Sequence, residues 1–285
     1  MRVISKLHRF ACIALNEHVE RWMNMNEQMK KELWLNEEKR VFAGWDFSYI
    51  EDRTSEQGLD WDYRGLVQSH LKPENIMLDM GTGGGELLLS LSPPSGRTYA
   101  TEAYLPNYEL CLQRLPMHGI AVRLIADDDK LPFEDAFFDL VINRQASFDA
   151  QEVYRVLKPG GLFITQQVGG QNNLALTHRL LGEEASRTTD PAFSLKSASC
   201  QLLDAGFAIQ DGKECYPILR FYDVGALVYY ATIIEWEFPG FSVERCFDRL
   251  CEIQEDVENM GYVESREHRF IILATKAEGG GTHDR

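Results

Sequence analysis

Gly81, Gly83 and Gly85 follow Asp79 at alternating positions in the run NIMLDMGTGGGE, Asn75–Glu86, giving D-x-G-x-G-x-G. A residue without a side chain lets the backbone approach a ligand and adopt left-handed turns. The apolar Ile76, Met77 and Leu78 precede the glycines, and the helix-forming run Glu86–Leu91 follows them. The spacing predicts a buried strand, a tight turn and a helix start, which together hold an adenine-bearing ligand in an open α/β sheet. A dinucleotide fingerprint, G-x-G-x-x-G, would need a glycine at position 86, where Glu86 stands. An acid at the strand end and a carboxylate at the helix start suit a ligand with a cationic amino-acid head. They oppose a pyrophosphate, because a helix start holds phosphate through its own positive partial charge.

Two further acids stand where such a ligand needs them. Arg97–Ala103 reads as a second strand ending at Glu102, roughly 20 residues after Asp79, the offset at which an acid grips both ribose hydroxyls. Ala121–Ala126 reads as a third strand running into Asp127 and Asp128, which can accept a hydrogen bond from an adenine amino group. Leu131 and Phe133 follow, suited to pack near the ring. The expected contacts are therefore Asp79, Gly81, Thr82, Gly83, Gly85, Glu86, Glu102, Asp127 and Asp128. Asp79 or Glu86 would meet the ammonium group.

The elements that must carry these residues follow from Asn75 onward as alternating strands and helices. Phe138–Asn143 and Gly161–Val168 read as the fourth and fifth strands, and Tyr108–Leu115, Gln151–Leu157 and Ser197–Ala205 as helices. Lys213–Phe221 and His268–Thr275 read as two further strands. Asp223–Ile234 and Val243–Glu258 read as helices separated at Pro239-Gly240. Repeated β–α units with short apolar strands imply an α/β fold, a parallel sheet covered on both faces. Residues 1–70 read as an N-terminal helical extension with an aromatic-rich link over 41–64. Residues 71–277 form the main domain, with a helical insertion over 223–258 placed to act as a lid. Residues 278–285 read as a disordered tail.

Composition bounds the function. The net charge of −15 repels polyanions, so nucleic acid is a disfavoured partner. No apolar run approaches the roughly 20 residues that span a bilayer, and a cytoplasmic setting without a membrane partner is expected. The six cysteines contain no C-x-x-C pair and read as reduced thiols. No metal-ligand spacing is present in the sequence.

The glycine run, Leu131–Phe133 (LPF), Phe138–Asn143 and Val156–Phe163 (VLKPGGLF) resemble the class I S-adenosylmethionine-dependent methyltransferases, particularly the ubiquinone-pathway C-methyltransferases. The resemblance covers about Asn75 to Val168. It implies a Rossmann-like seven-stranded, mostly parallel sheet with the last strand antiparallel, and S-adenosyl-L-methionine as cofactor. It says little about the methyl acceptor. That acceptor is expected to be a small molecule lying at the carboxyl ends of the strands, used by a monomer or homodimer. An RNA methyltransferase and a non-catalytic S-adenosylmethionine-binding protein are the rival readings. After the fourth strand, Asn143 and Arg144 are candidates for the chemistry, with Gln167 at the end of the fifth. Arg144 would pair with an anionic acceptor, Asn143 or Gln167 would orient it, and Asn143 also borders the donor. Phe47, Trp61 and Tyr63 would roof the pocket. No histidine stands beside a carboxylate in a general-base pattern. An activated sulfonium methyl needs positioning more than a base, and positioning can supply up to about 7–11 kcal/mol.

Overall fold

The computed structural model describes residues 26–42, 47–126, 130–185 and 189–278. Its elements, in chain order, are α1 (Glu27–Glu38), β1 (Thr54–Glu56), α2 (Tyr63–His70), β2 (Met77–Met80), α3 (Glu86–Ser90), β3 (Thr98–Glu102) and α4 (Leu105–Arg114). Then come β4 (Ile120–Leu124), β5 (Phe138–Arg144), α5 (Ala150–Val156), β6 (Leu157–Val168), α6 (Leu174–Leu181) and α7 (Leu195–Asp204). The chain continues through β7 (Phe207–Cys215), β8 (Ile218–Phe221), α8 (Val224–Ile233), α9 (Val243–Met260), β9 (Val263–Arg266) and β10 (Arg269–Lys276). The parts of the expected N-terminal helix before residue 26 and of the expected tail after 278 lie outside the described residues, as do Asp127 and Asp128.

Seven strands form one sheet in the order β4-β3-β2-β5-β6-β10-β7. Strands β2 to β6 pair in parallel, and β10 runs antiparallel between β6 and β7. This is the expected Rossmann-like sheet. Its central strands are apolar on both sides because helices cover both faces. On one face Tyr63, Val67, Leu88, Cys111 and Leu115 pack with Met77, Ala100, Leu140 and Ile164. On the other, Val153, Val156, Ala198 and Leu202 pack with Leu78, Val141, Phe163 and Ile272. Strand order reverses between β2 and β5, so the loops leaving these strands diverge and open a crevice at their carboxyl ends.

The expectation of one strand over 213–221 is corrected. Strand β7 starts earlier, at Phe207, and the ladder breaks at Tyr216-Pro217 before β8. Proline has no N–H to donate and fixes φ, which ends the strand there. Strand β8 instead joins β1 and β9 in a separate antiparallel sheet, order β1-β8-β9. This small sheet, α6 and the small sheet's own linkages were not legible as strands and helices in the sequence.

The small sheet lies at the carboxyl edge of the large one. Strands β6 and β7 end there, and the antiparallel β10 begins there. A second core forms around it from Trp34, Phe221, Leu227, Phe238, Leu250 and Val263. The expected 223–258 insertion is thus one part of a larger cap that also uses α1, α6 and β1. Arg53 ties the cap together. Its guanidinium bonds Asp223 through Nε at 2.8 Å and Nη2 at 2.5 Å, and pairs with Glu37 at 3.0 Å. Asp223 also caps α8 by accepting from the Ala226 N–H.

Candidate functional site

The loop after β2 is built from left-handed backbone. Gly81, Gly83 and Gly85 have φ of +66°, +62° and +83°, a region costly for any residue with a side chain. The turn closes on itself and on β3. The Gly85 N–H donates to the Thr82 carbonyl at 3.1 Å, and the Thr82 N–H donates to the Thr101 carbonyl at 3.0 Å. Below the loop the Cys111 thiol donates to the Gly83 carbonyl at 3.0 Å. Burial, with the Glu102, Glu86 and Asp79 carboxylates adding to it, pushes that thiol up to about 11. It is a packing group, as the sequence suggests.

Glu102 organises the loop from the end of β3. One carboxylate oxygen accepts from the Gly83 N–H at 2.8 Å, and the other from the N–H groups of Ala103 and Tyr104, both at 2.9 Å. The residue is 7% exposed. A carboxylate offers about four acceptor positions, so three internal bonds leave capacity for a ligand hydroxyl. Asp79 is 3% exposed. Burial pushes its carboxyl up to about 7, and the neighbouring Glu102 charge adds to this, while Thr82 and Arg144 pull it down. The Thr82 hydroxyl is buried beside this carboxyl. Glu86 is different: it is exposed and pairs with Arg114 on α4.

The loop after β5 faces the glycine loop across the switch point. Asn143 is fully buried. Its Oδ1 accepts from Gln167 Nε2 at 2.6 Å and from the Thr165 hydroxyl at 3.1 Å, and its Nδ2 donates to the Ser147 carbonyl at 3.3 Å. Gln167 Nε2 also donates to the Ala146 carbonyl at 3.0 Å. The Gln145 N–H donates to the Gln166 carbonyl at 2.8 Å. Gln145 itself has a φ of +59°, in the left-handed region although it is not glycine. Asn143 and Gln167 therefore fix the 144–147 loop, and their polar atoms are spent on each other and on backbone. Arg144 stands at the strand end with its side chain exposed.

The structure gathers Asp79, Gly81, Thr82, Gly83, Gly85, Glu102, Asn143 and Arg144 at one crevice. Two of the expected roof residues join them. The Tyr63 hydroxyl donates to the Asn143 carbonyl at 3.2 Å, and Trp61 Nε1 donates to Gln166 Oε1 at 2.8 Å. Burial and the Asp79 charge hold the Tyr63 phenol well above its ordinary range. Phe47 does not join; it packs against Phe42 and Tyr230 in the cap. The Ala146 contact with the glycine loop carried no sequence signal beyond its place after a strand.

One expectation about histidine is corrected. His268 does meet a carboxylate, with Nε2 2.9 Å from Glu214 Oε1. Its Nδ1 accepts from the Gln171 N–H at 3.2 Å, and its ring stacks on Tyr216. Both nitrogens are engaged, and β5 and β6 separate β10 from β2. Among the described residues no cluster of three His, Cys, Asp or Glu side chains is placed to hold a metal.

Comparison with known proteins agrees with this geometry. A family model described as a methyltransferase domain matches residues 78–165. The ubiquinone/menaquinone biosynthesis C-methyltransferase UbiE of Neisseria meningitidis is 30% identical over 115 residues, which is 36% of this chain and 47% of that protein. The chain thus spans about half the length of the curated relatives it matches. The YcgJ protein of Bacillus subtilis shares the fold at a TM-score of 0.53 and 19% identity, over 76% of this chain and 99% of that one. The Bacillus halodurans protein BH2331 does so at 0.54 and 18%, over 76% and 99%. At those identities the two structures speak to fold alone. Over residues 78–165, which hold the glycine loop and strands β2 to β5, the chain thus matches a methyltransferase domain.

Proposed function

We propose that the chain transfers a methyl group from S-adenosylmethionine to a small-molecule acceptor. The observation that carries this reading is the pairing of an acid-flanked, left-handed glycine loop with the pinned 144–147 loop at the switch point of the sheet. The site fits the donor. A glycine cradle, a buried Thr82 hydroxyl and a buried carboxyl at Asp79 are all features that a nucleoside-amino acid would complete. Asp79 would hold the ammonium group, Glu102 the ribose hydroxyls, and the backbone of Gly81–Gly85 the space between. Asp127 and Asp128 would receive the adenine amino group. Glu86 is the weaker candidate for the ammonium, since Arg114 already neutralises it.

When bound, the donor supplies a sulfonium methyl already activated for displacement. The chain's own part is to orient and to exclude water. Asn143 and Gln167 hold the 144–147 loop, and Trp61 and Tyr63 would shield the bound donor from water. The segment from Asp223 to Glu258, with the rest of the cap, would select the acceptor. The likeness to the quinone-pathway enzyme covers 36% of this chain and 47% of that protein, so its acceptor does not come with it. A cytoplasmic monomer or homodimer is the expected setting.

Two measurements test the reading. Calorimetric titration with S-adenosylhomocysteine should show binding. Incubation with methyl-labelled donor and an extract of the producing cells should label a small molecule that survives ribonuclease. Label lost to ribonuclease would favour the RNA reading, and binding without any labelled product would favour a non-catalytic binder.

A further inference from the structure

Resting on that reading, the donor's amino-acid head is a zwitterion, and Asp79 answers only its ammonium. The carboxylate beside it needs a counter-charge, because an unpaired charge in a closed crevice is costly. We infer that Arg144 binds this carboxylate, so that Asp79 and Arg144 form the two poles of a zwitterion site.

Four observations support the assignment. Asp79 lies opposite Ile142 in the parallel ladder, and Arg144 is two residues further along. Side chains alternate along a strand, so Arg144 leaves the sheet on the same face as Asp79, one step towards the mouth. In keeping with that placement, the guanidinium charge lowers the pKa of both the Asp79 carboxyl and the Tyr63 phenol. Among the described residues Arg144 makes no hydrogen bond or ion pair, whereas Arg53, Arg155 and Arg269 are each paired. In a chain of net charge −15, an arginine left unpaired next to buried acids is a vacant anion partner. Finally, its loop is rigid: three hydrogen bonds fix residues 145–147, and Gln145 is held at a positive φ. Strain that the surroundings over-determine is a mark of a position set for a ligand. A planar guanidinium matches a planar carboxylate with two parallel bonds, which a lysine cannot reproduce.

The same chemistry has a second possible source, an anionic acceptor, and the test separates the two. The full chain is titrated calorimetrically with S-adenosylmethionine, S-adenosylhomocysteine and decarboxylated S-adenosylmethionine, which keeps the ammonium and lacks only the carboxylate. The unmodified chain should bind S-adenosylmethionine at least about tenfold more tightly than the decarboxylated form. At pH 8.5, where the Asp79 carboxyl is ionised, Arg144→Gln should lose that preference while binding the decarboxylated form within about twofold of the original, and Arg144→Lys should fall between. Thermal melting checks the fold; Arg144 bonds nothing, so the variants should melt close to the parent. If Arg144→Gln keeps the preference, or the parent shows none, the assignment is overturned and Arg144 passes to the acceptor side. If the parent does not bind S-adenosylhomocysteine at all, it is the methyltransferase reading that fails.

Discussion

A Cβ placed on Gly81 would lie 2.4 Å from the Cβ of Ala146, so the two loops that frame the crevice touch at these residues. The contact explains why glycine is required there twice over. The position has a left-handed φ, and its neighbour leaves no room for a methyl group.

Gly81→Ala should therefore act on both loops. The backbone cost is about 1–2 kcal/mol, with a further ~1–3 kcal/mol from overpacking against Ala146. Melting should fall by several degrees, and affinity for S-adenosylhomocysteine by at least about tenfold. A variant that binds as tightly as the parent would show that the loop contact does not shape the crevice.

As the proposed partner of the ammonium group, Asp79 should make donor binding depend on pH. Burial raises its carboxyl to about 7 in the folded chain, against about 4 for a free aspartate. The folded state then holds the proton more tightly than the unfolded state, so its contribution to stability is lost as pH rises from about 4 to 7. Ligand binding has the opposite sign, because an ammonium group favours the ionised carboxylate. Affinity for S-adenosylhomocysteine should tighten between about pH 5 and 7 and level off above. Asp79→Asn should bind more weakly and show a flat profile over that range. A sloping profile in the variant would move the titration to another group.

Glu102 holds the glycine loop and, in the proposed site, the ribose, two duties that substitution can separate. Glu102→Ala strands the N–H groups of Gly83, Ala103 and Tyr104 and removes the proposed acceptor for ribose. Stability should drop by about 2–4 kcal/mol, and donor affinity by at least several-fold. Glu102→Gln keeps one carbonyl oxygen for the loop and should lose less stability. Unchanged affinity of Glu102→Ala by calorimetry would remove it from the ribose site.

The cap carries its own titration. Burial pushes the Glu267 carboxyl up to about 8; Arg269 opposes this, while Glu56 and Glu237 add to it. Its raised value means that the proton's contribution is complete in acid and is lost as pH climbs through 8. Glu56→Gln removes one repelling charge, so Glu267 should titrate lower. The variant should melt higher than the parent at pH 8–9, by about 1–3 °C, and equal to it near pH 5. Equal melting across the whole range would show that the two acids do not interact.

What could be read from the sequence follows from which interactions are local. The glycine turn and Glu102 at a strand end depend on neighbouring residues and on short apolar runs, and both stood out. The Asn143–Thr165–Gln167 network joins two strands through amide side chains whose partners no spacing specifies. Gln167 therefore read as a group for substrate when its bonds go to Asn143 and Ala146. Strand β1 is three residues long and half exposed; its partner is Leu219 to Phe221, so no local pattern announced it. His268 and Glu214 meet only because β10 is laid against β7.

That placement of β10 also bears on biosynthesis. The last of the described strands in chain order is an interior one, flanked by β6 and β7. Until it is inserted, the nascent sheet keeps two open hydrogen-bonding borders, and Phe270 and Ile272 stay out of the core they complete. The sheet therefore closes only once residues 269–276 have been made, and loss of even a few of them leaves open borders that favour aggregation.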